Sequence, residues 1–203
     1  MSSPRYWNAV ALWAAVSAVL CATLWLQGCR DASPGKTPLT RAWGHCESRE
    51  FTTAFPLLRE FLLHNPDDAA GHYLLGKCYA NRTPRELTRA KGEFDMAHFL
   101  HEQGDRFEIP GVAMSQEDFL AEIHYETAKV LLLTAMEANK AGLSPRASVG
   151  ILRTALEHAL EGRKLNPASS RLAELNTVIE EAIRRASVNE AIPEHSLPED
   201  RYI

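Results

Sequence analysis

His98 and His101 stand three residues apart, with Asp95 one turn ahead of His98, in a stretch whose apolar spacing predicts a helix. Side chains at i and i+3 share a helix face and imidazole is a common metal ligand, so metal binding is the first chemistry to weigh. Three ligands gather there only if other helices contribute, and no HExxH or Cys/His pair accompanies them. Solvated or partly packed histidines are the simpler expectation. Glu117, Glu122, Glu126 and Glu137 raise the idea of paired carboxylates for acid/base work. Acids strung along a helix ordinarily serve solvation and ion pairing, and nothing in the sequence marks a sugar cleft. No GxSxG setting for a nucleophile is present. The expectation is a protein that is not an enzyme, with no cofactor and no metal.

The 203 residues carry 22 Lys and Arg against 26 Asp and Glu. Residues 1–28 hold one basic residue, Arg5, and no acid, so the remainder is mildly acidic. That balance argues against nucleic-acid binding, which calls for a basic patch. The four cysteines, Cys21, Cys29, Cys46 and Cys78, include no CxxC pair. A Cys46–Cys78 disulfide fits an oxidising compartment, whereas small buried thiols in helices are the commoner case.

The stretch from Ala9 to Leu26 is apolar apart from Ser17 and Thr23. As a helix it would span about 27 Å, slightly short of a ~30 Å hydrocarbon core and longer than a typical secretory h-region. Length leaves the choice open between an uncleaved anchor and a signal peptide. Leu26-Gln27-Gly28-Cys29 resembles the lipobox of bacterial lipoproteins, with a branched apolar residue at −3 and a small one at −1. The resemblance implies cleavage before Cys29 and acylation, palmitate included, of its thiol; Cys21, preceded by Leu20, lacks the small neighbour. Either attachment puts the folded part outside the cytoplasmic membrane, because Arg5 precedes the apolar run. By the sorting rule of such lipoproteins, Arg30 points to the outer membrane, with an inner-membrane anchor as the alternative. Residues 29–38 read as a polar tether. Its GKT triplet lacks the earlier glycine of a P-loop, since Arg30 stands in that place.

From Leu39 onward apolar residues recur at threes and fours, which predicts an all-α domain over 39–187 and a loosely held tail over 188–203. Helices are expected near 39–47, 52–64, 68–80, 84–102, 116–141, 145–164 and 169–186. Thr83-Pro84 and Ser144-Pro145 suggest an N-cap followed by proline, and Ser115 with Asp118 outlines a capping box. Asn65-Pro66 and Asn166-Pro167 supply stops.

An internal match then appears. Ala54, Leu58, Phe61 and Pro66 have the spacing of Ala155, Ala159, Gly162 and Pro167. This spacing resembles the second helix of tetratricopeptide (TPR) repeats, and Leu75-Gly76 followed by Tyr79 is similar to the first-helix signature. Ala90, Phe94 and Ala97 complete that repeat, so residues 49–102 carry the resemblance best. The stretch from Ala128 to Ala155 is longer than the family's, and DRFEIPGVAM at 105–114 is an insertion. The resemblance implies antiparallel helical hairpins in a short, irregular solenoid. In such arrays the first helix of each pair lines a concave groove. Carried over by position, that selects Tyr73, Lys77 and Asn81 in HYLLGKCYAN, and Tyr125 and Lys129 in HYETAK. An aromatic beside a cation suits an extended peptide, a carboxylate or a partner helix.

The function expected is that of a membrane-attached envelope lipoprotein whose groove binds a protein partner or helps assemble a complex. The alternatives are an accessory or catalytic component of a cell-wall process and a periplasmic holding chaperone.

Overall fold

The computed structural model describes residues 37–190. The apolar segment, its cleavage site, Cys29, most of the tether and the tail from residue 191 lie outside the described residues.

The described residues are all-helical: α1 (Pro38–Glu47), α2 (Phe51–His64), α3 (Ala69–Asn81), α4 (Leu87–Glu102), α5 (Gln116–Lys140), α6 (Val149–Leu165) and α7 (Ser170–Ser187). A 3-10 turn over Pro145–Ser148 precedes α6. Each helix packs chiefly on its neighbour in the chain, and α1 touches α3, α3 touches α5 and α5 touches α7. None of the described helices is long and apolar enough to cross a membrane.

Short side chains at the N-caps start several of these helices by taking up amide protons that have no partner within the helix. Thr37 Oγ1 accepts from the Thr40 amide at 3.1 Å, and Pro38 occupies the first helical position rather than ending a tether. Ser115 Oγ accepts from the Asp118 amide at 3.0 Å and donates to the Asp118 carboxylate at 2.8 Å, as the capping-box outline suggests. Thr83-Pro84 is a correction. It does not begin α4, which starts at Leu87. The intervening residues form a turn in which the Glu86 amide donates to Tyr79 O at 2.9 Å and Arg82 ion-pairs with Glu86. Ser144-Pro145 likewise opens the 3-10 turn and not α6, because the Ser144 hydroxyl bonds Asn189 instead of capping.

The internal match extends to the backbone. Asn65 and Asn166 end α2 and α6 with their amides bonded to Phe61 O and Gly162 O. Two residues after each proline, Asp68 caps α3 and Ser169 caps α7. At the contact between the paired helices the sizes are exchanged. Phe61 lies 3.2 Å from where a Cβ on Gly71 would stand, and Leu172 lies 2.9 Å from where a Cβ on Gly162 would stand. Each pairing is one large residue against one glycine ten positions away. Close packing accepts either order provided the volume is filled once.

Two cores result. One joins α1 to α4 with Phe119, Ile123, Val130 and Leu133 of α5; the other joins Tyr125, Leu132 and Met136 of α5 with α6 and α7. Helix α5 is thus buried on opposite sides, which is why its apolar residues do not keep to one stripe. The 105–114 insertion is part of the first core. Phe107 and Ile109 are buried, Phe107 stacks on Phe119 and Trp43, and Asp105 accepts from the Ala69 amide at 2.7 Å. Cys46 and Cys78 are free and buried with sulfurs 3.9 Å apart, nearly twice a disulfide length. The hydrogen bond to Cys46, reinforced by burial, holds the Cys78 thiol well above its usual range and keeps it unreactive.

Gly76 lets α4 approach α3 closely: a Cβ there would sit 2.6 Å from the buried Phe94 ring. Gly76→Ala is therefore expected to destabilise the domain by about 1–3 kcal/mol despite the better helix propensity of alanine. Denaturant midpoints check this, and adding Phe94→Leu recovers part of the loss; a midpoint unchanged by Gly76→Ala alone would refute the packing account.

Candidate functional site

Tyr73 and Lys77 on α3 meet Tyr125 and Lys129 on α5 in one charged and aromatic cluster, with Arg171 from the first turn of α7. The Tyr73 hydroxyl donates to Glu122 Oε2 at 3.4 Å, and Arg171 Nη1 donates to Glu122 Oε1 at 3.1 Å. The Arg171 guanidinium lies 4.1 Å from the centre of the Tyr125 ring. Lys129 Nζ is 3.7 Å from Glu126 Oε2 and 6.0 Å from the Tyr125 ring centre, while Lys77 Nζ is 5.5 Å from the Tyr73 ring and 4.0 Å from Glu47. Ion pairs and cation–π contacts of this kind gain strength where water is thin.

The side chains expected to line an open groove are in fact buried: Tyr73 is 1 % exposed, Lys77 2 %, Tyr125 1 % and Lys129 6 %. The physical reason is the position of α3 and α5, whose flanks are covered by both neighbours, so that the lysine stems and tyrosine rings fill core and the charged ends meet carboxylates. Asn81 is half-buried, and its side-chain amide donates to Lys77 O at 2.8 Å, closing the end of α3. Of the four acids, Glu117 and Glu137 are exposed, whereas Glu122 and Glu126, one turn apart, face the cluster. Glu126 is fully buried, and neither of its oxygens accepts a hydrogen bond. Burial raises the Glu122 carboxyl above the usual range, opposed by Arg171. Burial works against the Arg171 charge too, but Glu122, Tyr125 and Glu126 outweigh it and hold the guanidinium charged.

The histidines divide. His101 stacks edge-on against Phe119, away from His98. His98 meets His124 of α5 edge-on at 5.2 Å, and His124 Nδ1 lies 3.1 Å from His158 Nδ1 of α6. His98 and His158 border a small cavity of about 130 Å³ lined also by Phe94, Asp95, Ile123 and Thr127. Other helices thus contribute histidines, as a metal site would need, yet no three His, Cys, Asp or Glu side chains among the described residues are arranged to hold a metal ion. The Nδ1–Nδ1 contact requires one ring to donate and the other to accept, so adding a proton to the acceptor sets two N–H groups against each other. Sequence reading missed His124 and His158 in this role because they lie 34 residues apart on different helices. It missed Arg171 for the same reason.

Comparison with models of protein families, with curated proteins and with solved structures finds no match for this chain.

His124 titrates at about 4, below its usual value, through burial and the neighbouring His158 and His98; His158 is lowered too, mainly by burial. The unfolded chain therefore takes up protons on these rings, near pH 6.5, before the folded one does. Stability contributed by the neutral rings is full at neutral pH and is lost as pH falls from 6.5 to about 4, by about 3 kcal/mol for His124 alone. Glu122, raised, works in the opposite sense, losing stability as pH rises above the ordinary carboxylate value. Urea midpoints at pH 7, 5.5 and 4.5 are expected to fall more steeply for the wild type than for His124→Gln. Equal slopes would refute the assignment.

Proposed function

We propose that this chain is a membrane-tethered, non-enzymatic envelope protein whose TPR-like helical hairpins bind a protein partner. The observation that carries the reading is the in-phase repeat. Tyr73 and Lys77 recur 52 residues later as Tyr125 and Lys129, and α3 and α5 bring the two pairs into one cluster with Arg171. The shared Asn-Pro stop, N-cap and large-against-glycine contact of α2–α3 and α6–α7 support a short array of hairpins, lengthened at α5 and plugged by the 105–114 insertion. Helix α3, helix α5 and the start of α7 supply the inner face. Because these rings and cations are buried, in this reading an extended partner segment that carries carboxylates reaches them by displacing the contacts that cover them. In this reading Cys29 is the acylated N-terminus, residues 30–37 are the leash, and the outer membrane facing the periplasm is the site of attachment.

Two measurements test it. The mass of the mature N-terminus is expected to correspond to Cys29 carrying acyl chains, and Cys29→Ala to leave the precursor uncleaved; an intact Met1 in the wild type would assign an anchor helix instead. In cross-linked membranes, Lys77→Met/Lys129→Met keeps the apolar stems and removes both charges. Its recovery of the partner seen with wild type is expected to fall severalfold while its helical circular dichroism is retained. Undiminished recovery by a folded variant would eliminate the site.

A further inference from the structure

At the seam of α2, the end of α3 and the turn before α4, arginines gather on two aromatic rings. Phe55 of α2 and Tyr79 of α3 meet edge to face with ring centres 5.2 Å apart. The Arg82 guanidinium lies over both, 4.0 Å from the centre of Phe55 and 4.9 Å from that of Tyr79. Arg59 stands 5.9 Å from the Phe55 centre and Arg89 5.8 Å from the Tyr79 centre. Arg85, in the same turn as Arg82, is exposed. Tyr79 is two residues from Lys77 and so on the opposite side of α3, which separates this surface from the Tyr73 and Tyr125 cluster.

One carboxylate serves the group. Glu86 pairs with Arg82 through Oε1 and with Arg89 through Oε2, the latter at 2.8 Å, so that it bridges two guanidinium groups. The side chains of Arg59 and Arg85 make no ion pair among the described residues. Four positive charges thus stand with one negative charge, a local excess in a chain whose formal net charge is −4.

That contrast selects among anionic partners. A membrane surface or a nucleic acid draws a protein in through its summed field, and a chain of net negative charge gains nothing from it. A short acidic segment is met at contact range, where only charges within a Debye length of roughly 8 Å count and the local excess decides. The rings favour the same choice. Stacking fixes the plane of a guanidinium, and a fixed fork suits the two oxygens of a carboxylate. Glu86 already shows a carboxylate fitting between two of these groups. Arg59 and Arg82 share one ring and are therefore at most about 10 Å apart. Carboxylates on alternate residues of an extended segment stand about 7 Å apart, a spacing of the same order.

We propose that Arg59, Arg82, Arg85 and Arg89 form a second interaction surface, which binds an acidic, carboxylate-bearing segment of a partner protein. One carboxylate lies against Arg59 and Arg82 and the next against Arg85 and Arg89, while Glu86 holds Arg82 and Arg89 in place. The surface does not depend on the reading proposed for the inner face of α3 and α5.

Titration of the full chain, in non-ionic detergent micelles, with the peptide hexaglutamate tests this surface by two-dimensional NMR. The amides of Phe55, Tyr79 and Glu86 are expected to shift, and those of Tyr73 and Tyr125 to stay. Arg59→Gln/Arg85→Gln removes the two side chains that hold no ion pair in the fold. It is expected to weaken binding about five- to tenfold with an unchanged denaturation midpoint. Absence of shifts in the wild type, shifts confined to the inner face, or an affinity untouched by the double variant would each overturn the surface. Equal shifts with sulfate at the same charge concentration would overturn it as well, by reducing the effect to screening. Short-chain phosphatidylglycerol added to the micelles is expected to act more weakly than the peptide; movement of the same amides at a lower total charge would overturn the proposal in favour of a lipid surface.

Discussion

Helix α5 is pressed between two cores, and every polar group it carries inward has to be neutralised where it lies. A buried carboxylate or ammonium without a partner costs several kcal/mol, so a helix covered on both flanks can keep Glu122, Glu126, Lys129 and His124 only if its neighbours supply the complement. For Glu122 and His124 they do so from separate helices, Tyr73 from α3, Arg171 from α7 and His158 from α6, while Lys129 faces Glu126 on α5 itself. The polar residues of α5 thereby tie the two halves of the domain together, and the candidate site is a product of that neutralisation. Apolar residues of similar volume would fill the same space with less desolvation, which makes the retained charge cluster a feature in search of a use.

Repetition is the second organising device, and its physics is packing volume. The hairpin contact is filled by Phe61 over Gly71 in one place and by Leu172 over Gly162 in the other. Van der Waals contact is indifferent to which chain position brings the bulk, so the register can persist while residue identities exchange. Phe61 stands where the other copy has Gly162 because the glycine of this hairpin is Gly71, on the opposing helix. Gly76 against Phe94 applies the same rule between α3 and α4.

Much of the helix layout was legible in the sequence, because threefold and fourfold apolar spacing and polar caps act locally. Ser115, Asn65-Pro66 and Asn166-Pro167 do what their types favour. The misplacements have tertiary causes. Thr83-Pro84 is a good local helix start, but the Arg82 guanidinium packs on Phe55 and Tyr79 and ion-pairs with Glu86, which keeps the chain in a turn until Leu87. Residues 105–114 read as an insertion between repeats, and Phe107 and Ile109 within it are core. Nothing in its local pattern distinguishes an aromatic that plugs a core from one that sits on a loop.

The sequence by itself determined an all-helical domain, most of its helix ends and the identity of the repeated Tyr and Lys positions, since these follow from backbone preference and from spacing within single helices. Only the tertiary structure decided that those positions are buried, that Arg171, Glu122 and Glu126 complete them, and that His98 turns to His124 and His158 rather than to His101. Burial and charge pairing depend on which faces meet across tens of residues, and a one-dimensional pattern contains no distance between helices.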